Sequence, residues 1–259
     1  MNDRTSELLA SKQKAHYEAI HDDYEAHYYD ATSAEYRRRF IHDPLFEGLD
    51  LNGKTVADLA SGSGLNSVLL RERFPGAEVV GFDISEPACE AYRQRTGSTS
   101  YELDLMAGSD PGVRVDAAMV IGGLHHCVSN LKGTFRTIAN LLEPGGLLLM
   151  MEPNKKYLLE APRNFWYSQD PYFEADTEAA LSHEEIAGLA AGWFRPRRVR
   201  HLGGPAYFLI FNSLIFRVPI ALKPVIAPAL FLSESLCNLL PGRFLFPYFI
   251  AVWERTDEP

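Results

Sequence analysis

The sequence predicts an α/β fold, a doubly wound and mostly parallel sheet with helices on both faces, and three observations carry that prediction. Apolar runs of strand length at 55–59, 78–82, 115–121 and 147–151 alternate with segments of helical composition, as repeated strand–helix–strand crossovers require. Residues 54–83 join two of these runs through a small-residue turn and a helix, and the second run stops on Asp83. Strand, glycine-bearing turn, helix and acid-ended strand make up a nucleotide-binding unit. A chain of 259 residues that is 46% hydrophobic can bury the core of one such domain and add a modest cap.

The turn has a chemical rationale. Gly62 and Gly64 can adopt positive φ and carry no Cβ, so the backbone can bend sharply and approach a ligand closely. Asp83 follows Gly64 by 19 residues, where a carboxylate at a strand's carboxyl end can accept hydrogen bonds from a ribose diol.

At these residues the chain resembles the class I S-adenosylmethionine-dependent methyltransferases of the small-molecule type. Their first motif, an apolar run, an acid and a GxGxG-type loop, reads here Val56-Ala57-Asp58-Leu59-Ala60-Ser61-Gly62-Ser63-Gly64. Ala60 stands where the first glycine is usual, a change small enough to keep the turn. Asp58 argues against a dinucleotide, because an acid just before the loop crowds a pyrophosphate but suits the cationic amino-acid end of S-adenosylmethionine. The GxGxxG spacing of dehydrogenases is also absent, since Leu65, Asn66 and Ser67 follow Gly64. A nicotinamide-dependent oxidoreductase is therefore disfavoured.

Along the chain, residues 1–50 are expected to be helical, with Tyr17, Ile20, Tyr24 and Tyr28 on one face of a first helix. That stripe suits an amphipathic helix on the core. The resemblance implies a segment that closes over the cofactor and brings a tyrosine to its methionine part. A second helix is expected over 33–48, with an irregularity at Pro44. Ser85 as N-cap and Pro87 in the first turn predict a helix over 86–95, ended by Gly97. A third strand is expected at 101–103, before Asp104 and Leu105, which the resemblance assigns to the adenine. Residues 115–121 form the fourth strand, and ligands in open α/β sheets lie at such carboxyl ends. Gly122 to His126 should therefore line the methyl-transfer end.

A helix at 132–142, a turn at 143–146 and a fifth strand at 147–151 precede Glu152 and Pro153. Residues 154–176 show no clean period, which in a compact domain points to function, here a wall for the acceptor. Ser182, with Glu185 three residues on, predicts a capping box; strands at 197–201 and 248–254 complete the sheet. The resemblance implies the strand order 3-2-1-4-5-7-6 with the last strand antiparallel. The expected domains are an N-terminal helical segment at 1–50, a methyltransferase domain at 51–202 and 246–259, and an apolar helical insertion at 203–245.

That insertion is dense in Phe, Leu and Ile, but Arg217, Lys223, Glu234 and three prolines interrupt its apolar runs, so a membrane-spanning helix is not expected. A cap over an apolar acceptor, a homodimer interface and a peripheral membrane surface all remain open.

The resemblance implies cofactor contacts from Asp58, Ala60, Ser61, Gly62, Gly64, Asp83, Ile84, Asp104, Leu105 and Ile121, with Tyr17, Tyr24 and Tyr28 closing over them. His125 and His126 are the candidate bases, since a histidine's ordinary pKa suits proton abstraction near neutrality. Glu152 is better suited to structural hydrogen bonding. No His, Cys or acid spacing suggests a metal, so none is expected. The net charge of −9 disfavours nucleic acid. Three cysteines without paired spacing and an N-terminus lacking an apolar signal region suggest the cytoplasm, with peripheral membrane contact through the insertion. The expected activity is methyl transfer from S-adenosylmethionine, leaving S-adenosylhomocysteine, to an O, N or C atom of a small apolar acceptor. The competing expectation is a catalytically silent binding protein on the same fold.

Overall fold

The computed structural model describes residues 26–168 and 178–256. Its strands are β1 (Thr55–Leu59), β2 (Glu78–Asp83), β3 (Ser100–Glu102), β4 (Val115–Ile121), β5 (Leu142–Pro153), β6 (Phe194–Leu202) and β7 (Tyr248–Arg255). They form one sheet in the order β3-β2-β1-β4-β5-β7-β6. The first five are mutually parallel, and β7 runs antiparallel between β5 and β6. This is the architecture expected from the sequence.

Side-chain alternation splits the core into two layers, because successive strand residues point to opposite faces. Ala57, Leu59, Ala118, Val120, Leu148, Met150, Phe249, Ala251 and Trp253 pack on one side. There they meet Phe135 and Ile138 of α4 (Leu131–Leu141) and Ile186 and Ala190 of α6 (His183–Ala190). Val56, Ala117, Met119, Leu149, Met151, Tyr248, Ile250 and Val252 pack on the other, against α1 (Ala31–Tyr36), α2 (Leu65–Arg73) and the insertion. The helix α3 (Glu86–Thr96) starts at Ser85, whose Oγ accepts from the Ala88 amide, and ends at Gly97 with φ +68°.

The helix leading from α1 widens into a π-turn over Arg37–His42 before Pro44. Proline has no N–H to give the carbonyl four residues back, and its ring crowds that carbonyl. The Phe40 carbonyl instead accepts from Tyr248 Oη at 2.8 Å, so the irregularity locks the N-terminal segment to β7. The turn expected at 143–146 is a register shift inside a longer β5.

Three expectations are corrected. The aperiodic stretch after β5 contains a helix, α5 (Glu160–Tyr167). The capping box at Ser182 is half formed: its Oγ accepts from the Glu185 amide, while the Glu185 carboxylate goes to Lys155 at 2.9 Å. The insertion holds a 15-residue helix, α7 (Lys223–Cys237), with Pro228 inside it. With the turn before it, residues 220–237 are long and apolar enough to cross a membrane by length and composition. The interruptions fail because Pro224 sits in the first turn, where its missing N–H costs nothing, and Lys223 and Glu234 turn inward.

Candidate active site

The carboxyl ends of β1, β2, β3 and β4 lie side by side, with Leu59 opposite both Phe82 and Val120 and Asp83 opposite Glu102. The loop after β1 is bent by three left-handed residues, Ala60 (φ +50°), Gly62 (φ +51°) and Gly64 (φ +86°). A Cβ on Gly123, after β4, would lie 2.9 Å from the Ala60 Cβ, so only glycine lets the two loops touch.

Asp83 Oδ2 accepts from the Gly62 amide at 2.9 Å and Oδ1 from the Ser85 amide at 3.0 Å. The acid thus braces the glycine loop as well as facing the site. Burial raises its pKa against those amides, which lower it. Asp58 is 1% exposed; its Oδ2 accepts from Ser67 Oγ at 2.8 Å, and Ser67 Oγ also bonds Tyr92 Oη. Its Oδ1 and the Ser61 hydroxyl are buried without a hydrogen-bond partner among the described residues. Burial pushes the Asp58 carboxyl up to about 7. Asp104 caps the short helix at Leu105–Ala107, accepting from the Met106 amide at 2.8 Å. Ile84 follows Asp83, and Ile121 closes β4 and lines the cavity described below. Tyr28 lines the same cavity, its hydroxyl donating to Asn212 Oδ1 at 3.3 Å. Tyr17 and Tyr24 lie outside the described residues.

These features suit S-adenosylmethionine. A buried carboxylate oxygen and a buried hydroxyl without partners are what an incoming ammonium and carboxylate would satisfy. Gly62 and Gly64 carry no Cβ and hold positive φ, so the loop backbone can be approached closely there.

Beyond the carboxyl ends of β4 and β5 lies a cavity between sheet, insertion and α5. Ile121, Gly122, His125, His126, Met151 and Glu178 form one side, and Tyr28, Tyr207, Phe211, Leu214 and Ile215 the other. Glu152, fully buried at the end of β5, anchors the histidines. Its Oε1 accepts from the Gly123 and Leu124 amides, and its Oε2 lies 2.8 Å from His125 Nδ1. That contact fixes the tautomer and leaves Nε2 as the basic atom. Burial lowers the His125 pKa, and His126 beside it lowers it further. Burial acts the same way on His126, but Glu178, Glu152 and Asp83 outweigh it and hold that imidazole's pKa up.

Glu178 went unnoticed in the sequence because it lies between the aperiodic stretch at 154–176 and the capping Ser182, where no motif marks it. The Ala179 amide bonds the His125 carbonyl at 3.1 Å and carries the acid to the histidines. His125, His126 and Glu178 place one ligand-capable atom each within 4.8 Å of the others, a grouping that sequence spacing hides because the acid is 52 residues away. Arg37 was equally hidden in a basic run. It is 4% exposed, donates to Asn66 Oδ1 at 3.2 Å and lies 4.8 Å from the Phe211 ring centre at the cavity wall. Tyr29 covers the glycine loop, its hydroxyl within 2.9 Å of a Cβ placed on Gly62.

Residues 56–146 match the family model described as a methyltransferase domain. Residues 56–146 thus carry a methyltransferase domain. A demethylmenaquinone methyltransferase of Thermus thermophilus is 31% identical over 104 residues, 38% of this chain and 47% of that protein. A trans-aconitate 2-methyltransferase of Acidovorax is 29% identical over 143 residues, 52% of this chain and 55% of that protein. The chain thus spans about half the length of these curated relatives. Among solved structures, an S-adenosylmethionine-dependent methyltransferase from Mesorhizobium loti superposes with a TM-score of 0.55 at 17% identity, over 82% of this chain and 96% of its own. At that identity the likeness establishes the fold.

Proposed function

We propose that this chain transfers the methyl group of S-adenosylmethionine to an O, N or C atom of a small, largely apolar acceptor held between the sheet and the insertion. The observation that carries the proposal is the cavity itself: aromatic and aliphatic walls on one side, and a carboxylate-oriented histidine on the other, beside the end of β4. Asp58, the 60–64 loop, Asp83 and Asp104 would hold the cofactor, which supplies an electrophilic methyl group when bound. The chain's own work is then to align the acceptor, exclude water and accept a proton where the acceptor has one to lose.

His125 fits the base, because its Nδ1 is fixed by Glu152 and its depressed pKa keeps it neutral near pH 7. His126, held protonated more readily by Glu178, fits an orienting or hydrogen-bond-donating role. Incubation of the pure protein with methyl-labelled S-adenosylmethionine and a panel of apolar phenols, quinols and carboxylic acids tests the proposal. Label transfer to at least one acceptor, reduced by about a hundredfold in His125→Gln, is expected. Binding of the cofactor with no transfer to any acceptor would favour the silent binding protein instead.

A further inference from the structure

The helix α7 is turned inside out. Its two charged residues are fully buried, eleven positions apart and therefore on one face. Lys223 Nζ reaches Asp30 Oδ2 at 2.6 Å and Ser33 Oγ at 2.8 Å, and also donates to the His27 carbonyl. The Glu234 carboxylate accepts from Tyr36 Oη at 2.6 Å and the Ala206 amide at 2.9 Å. These two polar anchors, with Ala227 and Phe231 between them, tie the helix to the N-terminal segment.

The opposite face meets solvent and is apolar. Every exposed residue from 219 to 242 is an aliphatic, a proline or a glycine. Val225, Leu232 and Leu239 are 73%, 64% and 79% exposed, and Leu236 and Leu240 are over half exposed. The patch extends sideways, because the Leu158 amide bonds the Phe244 carbonyl at 2.7 Å and brings exposed Leu158, Leu159, Phe165 and Trp166 alongside. Exposed arginines stand at its two ends, Arg217 before it and Arg243, which also meets Glu184, after it.

We propose that this face lies on a lipid bilayer, with α7 in the plane of the interface and the two arginines at the phosphate level. Apolar residues on one side, aromatics at the margin and arginines at the boundary are what an interfacial helix uses. A two-fold contact between copies through an antiparallel α7 would set Arg217 of one chain toward Arg243 of the other, like charge against like. Spanning the membrane would strip Lys223 and Glu234 of their buried partners. The same elements reach the cavity, since Arg163 and Asn164 of α5 and Leu214 and Ile215 of the insertion line it. If the proposed methyl transfer holds, the acceptor can enter from the bilayer.

Flotation of the full chain with phosphatidylcholine–phosphatidylglycerol vesicles tests the proposal without reference to catalysis. The protein should rise with the vesicles and be released by alkaline carbonate. A Leu232→Glu/Leu239→Glu variant should partition at least about tenfold more weakly with circular dichroism and S-adenosylhomocysteine affinity unchanged. Leu189→Glu, an exposed position on α6 across the sheet, should float like the parent. The proposal is overturned if the parent stays in the soluble fraction, if the double variant floats equally well, or if carbonate fails to extract the protein. It is also overturned if light scattering finds a dimer that the double variant splits while vesicles capture neither.

Discussion

Replacing Asp58 by asparagine should stabilise the cofactor-free protein while weakening its hold on the cofactor. The carboxylate is buried, one oxygen serves Ser67, and the other has no hydrogen-bond partner among the described residues. Burial lifts its pKa from 3.8 to about 7, which corresponds to about 4 kcal/mol against keeping the anion folded at alkaline pH. The folded form of this acid has the higher pKa, so the native state binds the extra proton. Its contribution is most favourable below about pH 4, is lost as pH rises toward 7, and stays lost above. Asparagine keeps the shape and can still accept from Ser67, but its amide places two donors where the bare oxygen stood. The net gain at pH 8 should therefore be about 1–3 kcal/mol, with little change at pH 4. Chemical denaturation of parent and variant at both pH values measures the difference, and calorimetry with S-adenosylmethionine measures the loss of affinity, expected to exceed tenfold. Equal stability effects at both pH values, together with unchanged affinity, would refute both the buried anion and its role toward the ligand.

Other consequences can be checked separately. Asp83→Ala should weaken S-adenosylmethionine binding by at least about tenfold, because it removes the acceptor proposed for the ribose diol and also releases the Gly62 amide from its acceptor; titration calorimetry reads the change. Ala60→Gly should raise the midpoint of thermal unfolding by removing a Cβ from a left-handed residue, worth up to about 1 kcal/mol after the added freedom of the unfolded chain. His42 is buried and its pKa is pushed down to about 3. Its unfolded form takes up the proton first, so stability falls as pH drops from about 6.5 toward 3, opposite in sign to Asp58; His42→Leu should remove that part of the acid sensitivity in denaturation curves. With an acceptor in hand, the rate should rise with pH through a value below 6.5 and then level off, following neutral His125. Glu152→Gln should lower kcat by about a hundredfold and shift that profile, because it frees the imidazole to take either tautomer.

Much of the fold could be read in advance because local rules and tertiary context agree. Thr55–Leu59 and Val115–Ile121 are apolar runs buried on both faces and end on turn residues, so their limits match those predicted. The acids Asp58, Asp83 and Asp104 stand out as candidates because each lies at or beside the carboxyl end of a strand. What could not be read depends on contacts distant in sequence. Glu178 becomes a site residue only because its segment bonds back to His125, and Arg37 becomes a cavity residue only because a π-turn faces it inward. The insertion misled for the same reason. Lys223 and Glu234 look like breaks in an apolar run until Asp30 and Tyr36 are found beneath them. Charges that would expose a helix when unpartnered let this one bury its polar side and present its apolar side.

The claim on which the rest depends is that the loop after β1 and the three strand-end acids form a site for S-adenosylmethionine. Titration calorimetry of the purified chain with S-adenosylhomocysteine tests it most directly. One site per chain is expected, lost or weakened at least tenfold in Asp83→Ala, with no heat from NAD under the same conditions. Absence of binding by the folded parent protein, or binding of NAD in its place, would contradict it.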